Sequence, residues 1–404
     1  MRALLSTIGS RGDVQPLVAL GSVLRARGHG VRLCVPPDFR GWLEGLGFEV
    51  VGLGPQVRAT GKAPATVGVP TAEQRRAMIA ATVAMQFRTV GEAARGCDAI
   101  VAATALQVAA PSIAQLRGIP HVFVAYCPAV LPSRHHAPPV LGMLGDAPAG
   151  ADDDVAARWE ADARRWNEDW GEAIATQRAE LGLAAVEDVR GHVLTPRPWL
   201  AADPALAPWP QPSDLDVVQT GAWVLPDARP LDDEVEAFVD AGDPPVYFGF
   251  GSIRAPGDLA ATMLAAARAV GRRAIVSRGW AELSVGDADD CLVIGEVNQS
   301  RLFPRVAAVV HHGGAGTTTA AARAGAPQVV IPQMYDQHYW AGRIAALQVG
   351  VAHAPGTPTV ASLTAALQAA LAPDVAMRAQ ALAADVRDDG AEVAADRLEA
   401  LVGP

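Results

Sequence analysis

Cysteine is scarce in this chain and never closely spaced. Cys34, Cys97, Cys127 and Cys291 are scattered, with no Cys-x-x-Cys pair. That argues against a structural zinc site and a disulfide framework, and it fits reduced thiols in a cytoplasm. A long apolar run is also missing. The most membrane-like window, Ala99 to Leu116, is broken by Thr104, Gln107, Pro111 and Ser112, so it reads as a buried strand followed by a helix. The N-terminus meets Arg11 and Asp13 after a very short apolar stretch, which is no signal peptide. There is no basic stripe, and the formal charge is −10, which disfavours a nucleic-acid partner. A small anionic ligand stays compatible, because one pocket can be positive on an acidic protein.

What is present is a soluble, globular balance of 50% apolar and 19% charged residues over 404 positions. That length exceeds one ordinary core and predicts two domains. The first half alternates strands and helices. Strands are expected at Arg2–Thr7, Val31–Val35, Glu49–Gly52, Ala99–Ala102 and Val122–Ala125, with a helix over Pro16–Arg27. This rhythm implies right-handed crossovers and a parallel sheet covered on both faces. It breaks between Cys127 and Trp209, where a Pro-punctuated loop precedes a Trp-rich helical stretch, Asp152–Leu181. A second series follows, with strands expected at Val246–Phe250, Arg273–Ser277, Cys291–Ile294, Ala307–His311 and Gln328–Ile331. The fold class is α/β, with two facing doubly wound, Rossmann-like domains. The expected division is residues 1–224, a Pro- and Asp-rich linker over 225–243, residues 244–385, and a closing helical segment over 386–404.

Ligands of open α/β sheets sit beyond the carboxyl ends of the strands, and three strand exits stand out. The first is Gly9-Ser10-Arg11-Gly12-Asp13. Asp13 near a helix start is either a cap, with Pro16 in the first turn, or a carboxylate able to take a proton from a hydroxyl. The second is His311-His312-Gly313-Gly314-Ala315-Gly316-Thr317-Thr318. Small residues let backbone N–H groups approach a diphosphate, and a histidine and a threonine add donors. It is neither a Walker loop nor a spaced dinucleotide fingerprint. The third is Pro332-Gln333-Met334-Tyr335-Asp336-Gln337, where an acid beside an amide suits adjacent sugar hydroxyls or a helix cap.

Together with Pro198-Trp199-Leu200-Ala201-Ala202-Asp203-Pro204, Gln219-Thr220-Gly221-Ala222-Trp223, Gly249-Phe250-Gly251-Ser252, Ser277-Arg278-Gly279-Trp280 and Gly295-Glu296-Val297-Asn298, these motifs resemble the bacterial natural-product glycosyltransferases of the GT-B fold. The nearest branch glycosylates glycopeptide antibiotics of the vancomycin type. The resemblance implies an N-terminal acceptor half and a C-terminal half for a UDP- or dTDP-sugar, with inversion at the anomeric centre. It implies no bound metal and no cofactor beyond that co-substrate. It casts Asp13 as general base with Asp336 as second candidate. Ser10, Arg11, Gly12, Ser252, Arg278, Trp280, Val297, His311, Gly313, Gly314, Ala315, Gly316 and Thr317 become donor contacts, and Asp336 and Gln337 hold the sugar. The intact Asp-Gln pair favours UDP-glucose. Arg134, His135 and His136 lie where the family carries its acceptor loop. The last helix of such enzymes commonly crosses back to the first domain. Two alternatives remain: a nucleotide-sugar epimerase on the same fold, and a non-catalytic homologue that binds sugar nucleotide beside a partner transferase.

Overall fold

A computed structural model of the chain describes residues 1–60, 71–139, 154–251, 259–279 and 288–403. Strands β1 (Arg2–Thr7), β2 (Gly30–Val35), β3 (Glu49–Gly52), β4 (Ala99–Ala103), β5 (His121–Ala125), β6 (Trp199–Leu200) and β7 (Val218–Gln219) form one sheet. Its order is β3-β2-β1-β4-β5-β6-β7, parallel throughout. Strands β8 (Val246–Gly249), β9 (Ala274–Ser277), β10 (Cys291–Ile294), β11 (Ala308–His311), β12 (Gln328–Val330) and β13 (Gly350–Ala352) form a second parallel sheet. Its order, β10-β9-β8-β11-β12-β13, repeats the first sheet's outward-and-back winding. Each sheet therefore has a switch point, between β1 and β4 and between β8 and β11, where a crevice opens at the strand ends.

The central strands are apolar on both sides because helices cover both faces. All five residues of β4 and all four of β8 are buried. The weakly patterned stretch after β5 is organised by long helix Val155–Glu180, capped by Asp154, which packs against helix Ala72–Ala93. Strands β6, β7 and β13 have two or three residues each, too few to show a period, and were not expected from sequence.

The closing helix, Gly390–Val402, lies on the first half of the molecule. Ala391, Ala394, Ala395 and Leu398 are buried in the same core as Leu17, Leu20 and Leu24 of helix Arg11–Ala26. Arg27 pairs with Asp396 and Glu399, and His29 meets Glu399 at 2.8 Å. Two of the motifs serve this crossing. Asp203, fully buried, accepts from the Arg387 backbone N–H at 2.9 Å. Gly390 lies against the Gly221–Ala222 backbone. Among the described residues no single helix is long and apolar enough to cross a membrane. All four cysteines are free thiols.

Candidate active site

Helix Arg11–Ala26 begins five residues before the expected Pro16, and its start is the reason Asp13 is where it is. Ser10 is the N-cap and Asp13 the third helical residue in a reciprocal capping box. Asp13 Oδ2 accepts from the Ser10 backbone N–H at 2.6 Å and from Ser10 Oγ at 3.1 Å. No hydrogen bond among the described residues reaches Oδ1. The carboxylate folds back over Gly9, where a Cβ would stand 2.2 Å from Oδ2 at a φ of +151°; only glycine fits. Burial raises the Asp13 pKa to about 6, against the lowering effect of the Ser10 bonds. The Tyr126 hydroxyl donates to the Asp13 carbonyl at 3.0 Å.

Asp336 comes from the other sheet, just beyond β12, at the N-cap of helix Gln337–Ala346. Its side chain makes no cap bond; instead the Trp340 indole donates to Oδ2 at 3.3 Å. Tyr335, immediately before it, is held at a φ of +56°, a strained conformation for a bulky residue that turns the chain at the cleft. Burial first, and the Asp13 charge second, lift the Asp336 pKa to about 7. Gln337 is nearly buried, and its Oε1 accepts from the Gln333 and Met334 backbone at 2.8 and 3.1 Å. Only its amide nitrogen is left for a ligand.

The two adjacent histidines divide their work. His311, placed at the diphosphate from sequence, ends β11 fully buried. Its Nδ1 accepts from the Gly313 N–H at 3.1 Å, so its proton sits on Nε2, which meets Gln328 Oε1 at 2.9 Å. Burial lowers its pKa to about 3, and this neutral ring shapes the loop rather than facing the crevice. His312 takes the crevice position: a Cβ on Gly314 would lie 2.6 Å from its Nε2. Its Nδ1 is enclosed with no hydrogen-bond partner, and burial lowers its pKa to about 4. Helix Ala315–Arg323 starts at Gly314 with no side-chain cap. Thr318 and Thr319 turn their hydroxyls onto Gly314 and Ala315 carbonyls, whereas Thr317 Oγ1 makes no such bond. The first-turn N–H groups of Ala315, Gly316 and Thr317 thus form an open anion site.

Other expected contacts are placed differently. Arg11 stacks its guanidinium 3.7 Å over Trp42 and reaches Glu296 at 3.4 Å, tying the two halves together. Arg278 is exposed and Val297 half-buried, each just past a strand of the second sheet. Ser252 and Trp280 lie outside the described residues. Protein groups hold all three side chains of the expected acceptor-loop trio. Arg134 makes a two-pronged pair with Asp214, at 2.7 Å to Oδ2. His135 meets the Pro212 carbonyl at 2.9 Å. His136 donates to the Leu131 carbonyl at 3.0 Å and packs edge-on against Trp159, Trp209 and Tyr339. Tyr126 carried no sequence signal of its own, because it acts through a contact with a segment 113 positions away.

The chain is similar to known proteins along its whole length. Residues 3–118 match the Glycosyltransferase family 28 N-terminal domain, and residues 282–399 match the Erythromycin biosynthesis protein CIII-like, C-terminal domain. Glycosyltransferase GtfE of Amycolatopsis orientalis is 52% identical over 100% of this chain and 98% of its own. Vancomycin aglycone glucosyltransferase of the same organism is 50% identical over 98% of this chain and 97% of its own. Among solved structures, the glycotransferase of kitacinnamycin superposes with a TM-score of 0.71 at 20% identity, covering 100% of this chain and 99% of that one. On this fold, with these relatives, the chain is a glycosyltransferase and belongs to the GT-B natural-product glycosyltransferases, in the branch of the vancomycin-type glycopeptide enzymes.

Proposed function

We propose that the chain moves a hexose from UDP- or dTDP-sugar, with UDP-glucose preferred, to a hydroxyl of an antibiotic-type aglycone. Configuration inverts at the anomeric carbon, and no metal ion takes part. The observation that carries this is a fixed, desolvated carboxylate, Asp13, near enough to Asp336 of the second sheet to raise its pKa, with an uncapped helix N-terminus beside His312 following that same sheet. Asp13 Oδ1 takes the proton as the acceptor oxygen bonds to the anomeric carbon. The bond from that carbon to the diphosphate oxygen breaks on the opposite face, and the leaving charge settles on the N–H groups of Ala315–Thr317 and on His312. Asp336 and the Gln337 amide nitrogen hold sugar hydroxyls. Residues 1–224 act as the acceptor half and 244–385 as the donor half. A similarity to a glucosyltransferase supports the choice of sugar.

The test is incubation with UDP-glucose and dTDP-glucose, each with vancomycin aglycone and a phenol panel. The expected result is a hexose mass gain with a β-linked product from the α-donor. Nucleotide binding without any gain would favour the non-catalytic alternative, and a retained α-linkage would refute inversion.

A further inference from the structure

The turn that follows β4 is built at a cost that nothing inside the protein explains. Thr104 has a φ of +74°, and for a β-branched residue that conformation is a genuine outlier. Its Oγ1 is enclosed without a hydrogen-bond partner, and so is Nε2 of Gln107. Gln107 is 1% exposed, and its other amide atom is fixed by Ser6 Oγ at 2.6 Å. The turn is nevertheless held firmly. The Thr104 N–H bonds to the Val124 carbonyl at 3.0 Å, and fully buried Gln86 donates to the Leu106 carbonyl at 2.8 Å. Two orphaned polar groups beside a strained but well-braced backbone are a combination that packing alone does not account for.

Its location is set by topology. Ala103 of β4 is the register partner of Thr7 of β1, and Thr7 Oγ1 donates to the Ala103 carbonyl. Thr104 therefore leaves β4 beside the point where Ile8 and Gly9 leave β1, about 5 Å away across the sheet. Gly9 is the residue over which the Asp13 carboxylate folds. Thr104 as a residue is partly exposed although its hydroxyl is hidden, and Leu106 next to it is 47% exposed. A 120° step in χ1 moves a threonine's hydroxyl to one of the two other staggered positions on Cβ, and here that step gives up no hydrogen bond of Oγ1.

We propose that Thr104 is an acceptor-binding residue. Its hydroxyl turns out to bind a polar group beside the attacked hydroxyl of an aromatic aglycone, while Leu106 meets the ring. Gln107 forms the floor beneath. The inference rests on the reading that the acceptor hydroxyl is delivered to Asp13, and it assigns the neighbouring subsite to β4 instead of to the Arg134–His136 loop.

The test is calorimetric titration of the full chain with vancomycin aglycone, without donor, on Thr104→Val, Thr104→Ser and Thr104→Gly, alongside Asp13→Asn. Thr104→Val keeps the shape and should weaken aglycone binding roughly 3- to 10-fold, with UDP affinity unchanged. Thr104→Ser should restore it. Thr104→Gly should bind as weakly as the valine variant although relief of the φ strain raises its Tm. Wild-type affinity in Thr104→Val, or equal loss of UDP and aglycone binding, would overturn the assignment. Asp13→Asn is read by turnover: normal rates there would remove the base role, whereas the assignment of Thr104 is decided by the binding of the Thr104 variants alone.

Discussion

Asp13 and Asp336 reach one cleft from opposite sheets, and the charge on Asp13 raises the pKa of Asp336 beyond what burial does alone. One carboxylate is tied by Ser10 and the other by Trp340. Burial raises both groups, so the two carboxylates titrate as a coupled pair in which a proton held by one favours ionisation of the other.

The rate should follow the ionisation of Asp13. kcat/KM is expected to fall as pH drops below about 6, because a protonated base cannot accept a proton. Asp13→Asn should lower turnover about 10²- to 10⁴-fold with UDP affinity little changed. Steady-state rates across pH 5 to 9 check the first point, and an Asp13→Asn enzyme with normal rates removes Asp13 from the role.

Stability should respond to Asp336 in the opposite sense from a salt-bridged acid. Its pKa is raised in the fold from 3.8 to about 7, so the folded state binds the proton more tightly than the unfolded chain. Its contribution is fully present below the unfolded value and is lost as pH rises from about 4 to 7. Asp336→Asn should therefore raise Tm by at least about 2 °C at pH 8 and give no gain at pH 4. Thermal scans at both pH values decide it; a gain that is equal at both is the contrary result.

The histidine pair should separate cleanly. His312→Ala is expected to weaken UDP binding about 10-fold and to cost less unfolding free energy than His311→Ala, since its Nδ1 has no hydrogen-bond partner to strand. His311→Ala strands Gln328 and the Gly313 N–H and should cost about 2–3 kcal/mol of stability. Calorimetry and urea unfolding on both variants would expose the reverse pattern if the roles are exchanged.

The crossing helix should matter to the first domain. Leu398 is fully buried among Arg11–Ala26 side chains, and Leu398→Ala is expected to cost about 2–4 kcal/mol. Urea unfolding should show the loss. An unchanged midpoint would mean the helix is not part of that core.

Much of this is legible in the sequence alone. Alternation of apolar strands and amphipathic helices is a local signal, and it located the central strands of both sheets to within about a residue. The glycine-rich and Asp-Gln exits were equally readable, because a strand end followed by small or polar residues is itself a sequence pattern. Two-residue strands such as Trp199–Leu200 were not, since their length is set by what they pair with.

The sequence by itself determined the α/β alternation, its two successive series and the carboxylates and glycines offered at the strand exits. Only the tertiary structure decided which histidine faces the crevice, that Arg134 and His135 are held by Asp214 and Pro212, and that Tyr126 secures the Asp13 segment. The physical reason is range. Periodicity and turn chemistry act over a few neighbouring residues, whereas burial, a hydrogen bond across 113 positions such as Tyr126 to Asp13, and the field of one carboxylate on another exist only once distant segments are packed together.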